Sequence, residues 1–265
     1  PDVNQNLSEH QMKALVLAAG KGTRMGSEIP KPLHLLCGQP MANYVIEALA
    51  QTEVSSIVVV VGYQSAEVKK TITNSLRVPA KYEFVEQEEQ LGTAHATSIA
   101  IDALMDQESF GDVLITPGDM PLLRSHTLSQ VQQVHTKSAA AATLLTADVA
   151  EPDGYGRIVR DEAGDIQRIV EHRDASATEL AINEVNTSVY CFDFDLLAAA
   201  LHKVESSNSQ SELYLTDVIE IMVKEGQLVT SIKVADANEV LGVNDLEQLA
   251  KCEDLIVARQ GFDPR

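Results

Sequence analysis

The chain has 265 residues, 45% of them hydrophobic and 22% charged, and its formal net charge is −19 at pH 7. This length is enough to bury a substantial core in one large domain or two small ones. A surface so negative repels nucleic-acid phosphates and anionic lipid, so no nucleic-acid partner is predicted. No apolar run approaches the roughly 18 residues that a membrane-spanning helix needs, so no membrane partner is predicted either.

The beginning of the chain and its cysteines bear on processing and location. Residues 1–12 are polar and lack the basic start and apolar core of a signal peptide, so they are predicted to form a tail. Cys37, Cys191 and Cys252 are odd in number and far apart. Such cysteines fit neither a disulfide framework nor a zinc site, and we expect a cytoplasmic location.

The first half of the chain alternates short apolar runs with longer helical patterns. The runs predicted as buried strands are Ala14–Ala18, Ile57–Val61, Tyr82–Val85 and Val113–Thr116. The helices predicted among them are Met41–Ala50, Ala66–Thr73, Thr93–Leu104 and Thr127–Thr136. This alternation predicts an α/β fold with a doubly wound, mainly parallel sheet, which binds ligands at the carboxyl ends of its strands.

From about residue 150 the pattern changes to shorter strands separated by glycines. The strands predicted there are Arg157–Arg160, Ile166–Val170, Val185–Phe192 and Val229–Val234. The predicted helices are Leu196–Val204, Tyr214–Lys224 and a closing helix from Asp245. We interpret residues 13–245 as one domain with a smaller β-rich lobe at about residues 150–235. A C-terminal helix and end follow at residues 246–265.

A glycine-rich loop follows the first predicted strand at residues 17–26. Its spacing, G-x-G-x-x-x-G, is neither the dinucleotide fingerprint nor a Walker A loop, which argues against an NAD-dependent oxidoreductase. Such a loop is either a phosphate cradle or an ordinary turn. Lys21, Arg24 and Lys31 lie within eleven residues of a very acidic chain, and prolines stiffen the backbone on both sides of Lys31. These cations favour phosphate binding.

The loop also resembles a known family. L-A-A-G-K-G-T-R-M at residues 17–25, followed by Pro30-Lys31, resembles the signature of sugar-1-phosphate nucleotidyltransferases. Q-L-G-T-A-H-A at residues 90–96 resembles the uridyltransferase half of bacterial bifunctional enzymes that acetylate glucosamine 1-phosphate and then uridylylate it. Further blocks match at residues 118–119, 154–158, 170–172, 184–187, 214–217 and 242–244. The resemblance covers about residues 13–250 and implies a Rossmann-like nucleotidyltransferase fold with a sugar-binding lobe.

The resemblance implies a reaction and a metal. Uridylyl would pass from UTP to N-acetylglucosamine 1-phosphate, giving UDP-N-acetylglucosamine and pyrophosphate by Mg²⁺-assisted in-line attack on the α-phosphate. Arg24 and Lys31 match residues that hold and neutralise the reacting phosphates. Asp119 matches the main metal ligand and Asn244 the second. Without the resemblance, an aspartate just past a strand is as often a turn or capping residue.

Two further groups of residues are assigned by the resemblance. Those implied to bind the nucleotide are Leu17, Ala18, Ala19, Gly20, Gly22, Thr23, Gln87, Gln90, Gly92 and Thr93. Those implied to bind the sugar are Gly156, Glu171, Asn186, Thr187 and Thr216. Ordinary interpretations remain for several of them. Glutamines are commonly surface residues, and Gly156 suits a turn, Glu171 a solvated charge and Thr216 a helix N-cap. His95 and His172 are interpreted as structural.

Two positions depart from the family pattern and bear on the choice of sugar. Pro117 precedes Gly118-Asp119, where some relatives carry a side chain that reaches the sugar. Ser188 follows Asn186-Thr187, where glycine is usual, and is expected to tighten the acetamido side of the pocket.

The chain also shows no hexapeptide repeats of the kind that form a β-helix acetyltransferase domain. We therefore expect no acetyl transfer and a monomer. Two alternatives stay open: the same fold acting on another sugar 1-phosphate or nucleotide, and a catalytically silent regulatory protein that binds sugar nucleotides.

Overall fold

The computed structural model describes residues 11–105 and 111–260. Most of the tail predicted at residues 1–12, and the last five residues of the predicted C-terminal segment, lie outside these ranges. Met12, the last residue of that predicted tail, is the first residue of strand β1.

The elements are numbered in chain order within the described ranges. The strands β1 to β11 are Met12–Ala18, Leu35–Leu36, Gln39–Pro40, Val54–Val61, Tyr82–Glu86, Asp112–Pro117, Ala142–Asp148, Arg157–Arg160, Ile166–Val170, Glu184–Asp193 and Val229–Lys233. The helices α1 to α8 are Met41–Leu49, Ser65–Ser75, Thr93–Met105, Ser125–Ser138, Ala177–Leu180, Phe194–Leu201, Asp217–Lys224 and Leu246–Gln260. Short 3₁₀ helices occur at Thr23–Met25, Lys31–Leu33 and Ala237–Val240.

A nine-stranded sheet runs through the described chain in the order β11-β7-β10-β6-β1-β4-β5, and the β8–β9 hairpin attaches to β10. β1 pairs in parallel with β4 and β6, β4 with β5, and β11 with β7. β10 runs antiparallel between β6 and β7. The predicted α/β fold with a doubly wound, mainly parallel sheet is therefore confirmed.

Two hydrophobic cores cover the two faces of this sheet. In β1, Leu15 packs into the core that α3, α6 and α7 share, whereas Ala14 and Val16 pack into the core of α1, α2 and α4. Successive strand side chains point to opposite faces, so a strand between two helical layers is apolar at every position. Each buried Val or Leu stabilises the fold by about 1.5–3 kcal/mol. None of the helices in the described ranges has the length and apolarity needed to span a bilayer.

The second half of the chain departs from the predicted elements. Strand β7, with the sequence A-T-L-L-T-A-D, was not predicted because its alanines and threonines form no distinct apolar run. β10 enters the central sheet between β7 and β6, so the lobe predicted at about residues 150–235 shares that sheet. Helix α7 begins at Asp217 and not at Tyr214. The backbone N–H of Leu215 donates to Thr93 Oγ1 instead of to a helical carbonyl.

A third, smaller core lies under the C-terminal helix α8. It joins α8 to the first loop, to the β2–β3 hairpin and to the segment after β6 through the buried residues Met25, Leu36, Met41, Leu122, Val243, Cys252 and Ile256. Arg259 Nη1 also donates to the Leu122 carbonyl at 2.8 Å. Helix α8 is thereby fixed beside the carboxyl end of β6.

Candidate active site

A cleft of about 580 Å³ opens at the carboxyl ends of β1, β5 and β6 and is bounded opposite by β8, β9 and β10. The edge where parallel strands end is the expected ligand site of such a sheet. Most of the residues that the sequence singled out line this cleft: Leu17, Ala18, Ala19, Gly20, Arg24, Lys31, Gln87, Gln90, Gly92, Thr93, Asp119, Gly156, Glu171, Asn186, Thr187 and Asn244.

Three of the candidate residues lie behind the lining. Gly22 has φ +69°, and a Cβ there would come within 2.7 Å of the Lys31 Cβ, so Gly22 makes room for that lysine. Thr23 begins the 3₁₀ helix that carries Arg24. Thr216 Oγ1 donates to Glu171 Oε1 at 3.0 Å. Thr216 is the N-cap residue of α7, as its ordinary interpretation predicts, but its side chain accepts no capping hydrogen bond.

Lys21 departs from the predicted cluster of three cations. Its Nζ lies 5.3 Å from the centroid of the Tyr63 ring, a cation–π distance. Lys21 lines a neighbouring crevice that shares Gln87 and Gln90 with the main cleft, but Lys21 itself is absent from the lining of the main cleft. Arg24 and Lys31 therefore converge on the cleft, whereas Lys21 is exposed and contacts Tyr63.

Opposite charges meet at the centre of the cleft. The Lys31 ammonium donates to Asp119 Oδ2 and to Asn244 Oδ1, the latter at 3.0 Å. Arg24 Nη2 donates to the same Asn244 oxygen at 2.9 Å. The Lys31 and Asp119 side chains are only 14% and 27% exposed, so water screens their attraction less than at an open surface. The fold thus brings together residues from three widely separated parts of the sequence: the first loop, the end of β6 and the segment before α8.

Hydrogen bonds to their backbones hold Asp119 and Asn244 in place. The Val243 N–H donates to the Asp119 carbonyl at 2.9 Å. The Asn244 N–H donates to Gln248 Oε1 at 2.7 Å, and the Gln248 N–H donates to Asp245 Oδ1 at 2.8 Å. Sequence reasoning missed Gln248, which also lines the cleft. The signal was the D-x-x-Q spacing at the start of α8, which is that of a capping box.

The glutamine block and the first loop form one wall. Gln87 is only 4% exposed, and its Nε2 donates to the Gly92 carbonyl at 3.2 Å and lies 3.0 Å from His95 Nδ1. Gln90 Nε2 donates to the Ala19 carbonyl at 2.8 Å. Burial and these bonds argue against an ordinary surface role for Gln87, whereas Gln90 is exposed and is tied to the first loop by its bond to Ala19.

Glycine is required in this wall. Gly92 has φ +115°, and a Cβ there would lie 2.4 Å from the Leu213 carbonyl oxygen. The Leu213 N–H donates to the Leu91 carbonyl, and the Ala94 N–H donates to the Leu213 carbonyl, each at 2.8 Å. The close approach and the two hydrogen bonds hold the glutamine block against the segment before α7.

The opposite wall carries a polar network around Asn186. Asn186 Nδ2 donates to the Tyr190 hydroxyl at 2.7 Å, and Asn186 Oδ1 accepts from the Ser188 N–H at 3.2 Å. Burial raises the pKa of the Glu171 carboxyl, and the hydrogen bond from Thr216 opposes that shift. Burial also raises the pKa of the Tyr190 phenol, which stays protonated.

Several lining residues carried only an indirect sequence signal. Tyr155 and Tyr214 lie inside matched blocks but had no role assigned, and both line the cleft. Burial raises the pKa of the Tyr155 phenol, and a hydrogen bond with the Gly242 backbone opposes that shift. The Tyr214 hydroxyl accepts from Gln210 Nε2 at 2.6 Å. Asp153, which also lines the cleft, lay in no predicted site.

The chain belongs to the nucleotidyl transferase family, whose model matches residues 13–242. It is 44% identical over 246 residues to the bifunctional protein GlmU of Bacillus cytotoxicus, an alignment that covers 93% of this chain and 52% of the relative. The protein of the same name from Bacillus mycoides is 45% identical over the same coverage. The chain spans about half the length of the curated relatives it matches. The resemblance found in the sequence blocks is confirmed.

Solved structures support the fold. A UDP-glucose pyrophosphorylase complexed with UDP-glucose superimposes with a TM-score of 0.72 at 18% identity, covering 94% of this chain and 99% of the other. A Bacillus anthracis protein assigned as a glucose-1-phosphate thymidylyltransferase gives a TM-score of 0.74, also at 18% identity, covering 92% and 94%. At this identity the likeness shows the fold alone.

Proposed function

We propose that this chain transfers the uridylyl group of UTP to N-acetylglucosamine 1-phosphate, giving UDP-N-acetylglucosamine and pyrophosphate. The observation that carries the proposal is the meeting of Arg24, Lys31, Asp119 and Asn244 in one cleft. A protein that only binds sugar nucleotides has little need for cations and metal-type oxygens at a single point. The identity of 44–45% with the GlmU proteins over most of this chain supports the same reaction.

The cations would position the phosphates. In-line attack on an α-phosphorus requires alignment of the two substrates and neutralisation of charge on the non-bridging oxygens and the leaving pyrophosphate. Lys31 and Arg24 reach the same point from the first loop, in a chain of net charge −19. Their convergence places two cations at one point of the cleft, where the phosphate oxygens of an anionic substrate could bind.

The residues present fit Mg²⁺. Asp119 and Asn244 each place a side-chain oxygen against the Lys31 ammonium, so both oxygens lie within reach of one cation. Among residues 11–105 and 111–260, no three His, Cys, Asp or Glu side chains form a metal-binding group. Mg²⁺ suits such a sparse site because it keeps several waters and uses one or two protein oxygens together with substrate phosphates. When bound, it supplies Lewis-acid neutralisation of the phosphates.

Gln248→Ala is expected to weaken metal binding by about tenfold, in the range found for residues that orient metal ligands. The variant removes the acceptor that holds the Asn244 backbone. Titration of the nucleotide-free protein with Mn²⁺, followed by electron paramagnetic resonance, measures the change. Gln248→Glu keeps an acceptor oxygen and adds a negative charge, so it should bind Mn²⁺ at least as tightly as the parent chain. Equal affinity in the alanine variant would remove this role from Gln248.

The two walls divide between the substrates in this proposal. Uracil would bind the wall formed by the first loop and the glutamine block, where Gln87 is buried beside Gly92. An amide both donates and accepts, as the uracil imide edge requires. The sugar would bind the opposite wall, where Gly156, Glu171 and Asn186 line the cleft. The monomeric state, the cytoplasmic location and the lack of acetyl transfer stay predictions.

Pyrophosphate release tests the reaction. The purified chain, with Mg²⁺, is assayed with UTP or TTP against N-acetylglucosamine 1-phosphate or glucose 1-phosphate. The pair UTP and N-acetylglucosamine 1-phosphate should react fastest. Turnover with TTP alone would indicate another nucleotide, and no release with any pair would favour the regulatory alternative.

Gln87→Ala is expected to reduce the preference for UTP over CTP by roughly tenfold, because uracil and cytosine differ in the donors and acceptors of the edge that the amide would read. The kcat/KM for each nucleotide measures the preference. The KM for N-acetylglucosamine 1-phosphate should stay unchanged. A changed KM for this sugar phosphate with an intact preference for UTP would show that the two walls are assigned the wrong way round.

A further inference from the structure

Ser188 has a backbone conformation that is unusual for serine. Its φ is +61°, in the left-handed region that favours glycine. It lies in β10 where the pairing with β7 shifts register between Asn186 and Tyr190. Among the described residues, the other non-glycine positions with positive φ are Cys37, Gln64, Ala139 and Ser211. None of these four lines the cleft, whereas Ser188 does.

The side chain of Ser188 lies beside the amide proposed to contact the sugar. Asn186 Nδ2 is 3.5 Å from Ser188 Oγ, and Asn186 Oδ1 accepts from the Ser188 N–H at 3.2 Å. The bond from Asn186 to the Tyr190 hydroxyl keeps that amide from turning away. A glycine at position 188 would adopt the same backbone without strain and would leave the space of the hydroxymethyl group open to a ligand. Strained residues of this kind cluster at functional sites.

We propose that Ser188 is a specificity-determining residue that narrows the acceptor subsite beside Asn186. Its hydroxymethyl group takes up room that a 2-acetamido substituent would use and leaves room for a 2-hydroxyl. The parent chain therefore prefers N-acetylglucosamine 1-phosphate to glucose 1-phosphate by a smaller factor than the Ser188→Gly variant does. This inference rests on the proposed function, because it assigns the wall around Asn186 to the sugar.

The first test compares Ser188→Gly with the parent chain. The ratio of kcat/KM for N-acetylglucosamine 1-phosphate to that for glucose 1-phosphate should rise by about tenfold, the lower end of what one methylene in a pocket discriminates. The KM for UTP should not change. Ser188→Ala keeps the Cβ and removes only the hydroxyl, so its ratio should fall between the two. An unchanged ratio in an active Ser188→Gly variant overturns the proposal.

A matched control separates relief of strain from a change in the cleft. Ala139 also has positive φ, at +49°, and closes helix α4 away from the cleft. Both Ala139→Gly and Ser188→Gly should raise the melting temperature, because glycine carries no Cβ penalty in this conformation. Only Ser188→Gly should change the sugar ratio. A similar change in Ala139→Gly would assign the effect to general stability and contradict the proposal.

A binding measurement keeps the two proposals apart. Calorimetric titration with UDP-N-acetylglucosamine and with UDP-glucose gives a ratio of affinities that does not depend on turnover. If the parent chain releases no pyrophosphate but the affinity ratio shifts in Ser188→Gly, the proposed reaction fails and the role of Ser188 stands. If the chain turns over and neither ratio moves, the role of Ser188 fails alone.

Discussion

Asp119→Ala is expected to lower kcat/KM by about three orders of magnitude. A bound metal ion contributes several kcal/mol of charge stabilisation to a phosphoryl-transfer transition state, and each 1.36 kcal/mol is a tenfold change in rate. Asp119 is the one carboxylate bonded to Lys31 in the described structure, and Asn244 adds only a neutral oxygen. The rate of pyrophosphate release, measured at saturating UTP and Mg²⁺ over a range of N-acetylglucosamine 1-phosphate concentrations, gives kcat/KM for that sugar phosphate.

The fold should survive this substitution. Asp119 is 27% exposed, and its backbone carbonyl keeps the bond from Val243 whatever the side chain. Circular dichroism and the melting temperature should therefore stay close to those of the parent chain. Asp153→Ala is the matched control, because Asp153 lines the same cleft without a hydrogen bond to Lys31 in the described structure. A fully active Asp119→Ala variant, or an equal loss in both variants, would remove Asp119 from the proposed metal site.

Local sequence pattern was sufficient for the parallel strands β1, β4, β5 and β6 of the first half of the chain, but not for β7, which pairs in parallel with β11. Strands such as β1 and β4 lie between helical layers, so burial on both faces makes them apolar at every position. The place of Asp119 also followed from the sequence, because a residue just past a buried strand lies at the ligand-binding edge. These inferences required only neighbouring residues in the chain.

Long-range pairing was not accessible in the same way. Nothing local to residues 184–193 shows that β10 enters the sheet antiparallel between β6 and β7, because strand register depends on partners far away in the sequence. The directions in which the side chains of the first loop point could not be predicted from the sequence either. Lys21 and Arg24 lie three residues apart, yet one packs on Tyr63 and the other reaches Asn244. The positive φ of Ser188 could not be predicted either, because serine rarely adopts the left-handed backbone conformation.

The contact of Lys31 with both proposed metal ligands has a consequence for metal binding. Its ammonium donates to Asp119 Oδ2 and to Asn244 Oδ1, so it lies against the oxygens that a metal ion would use. A cation that enters this site has to displace the ammonium from both oxygens. Phosphate oxygens of an incoming nucleotide offer the ammonium another partner, since lysine binds phosphate as a point charge. We therefore expect metal and nucleotide to bind more tightly together than either does alone.

Lys31→Met is expected to change metal binding and turnover in opposite directions. Methionine keeps the apolar length of the chain and removes the charge that competes for the two oxygens. Mn²⁺ affinity without nucleotide should rise by roughly tenfold, because a hydrogen bond to a charged group contributes about 1.5–3 kcal/mol and 1.36 kcal/mol is a factor of ten. The kcat should fall by about 100- to 1,000-fold, the loss typical for one preorganised charge-stabilising donor.

Lys21→Met is the matched control for this prediction. It removes the same charge from the same loop, but its ammonium lies over Tyr63 and not in the main cleft. Lys21→Met should leave both the Mn²⁺ affinity and kcat close to those of the parent chain. A general loss of positive charge would instead strengthen Mn²⁺ binding equally in both variants, because long-range attraction depends on net charge and not on which oxygens are released. Weaker Mn²⁺ binding in Lys31→Met would mean that the lysine organises the two oxygens and does not compete for them.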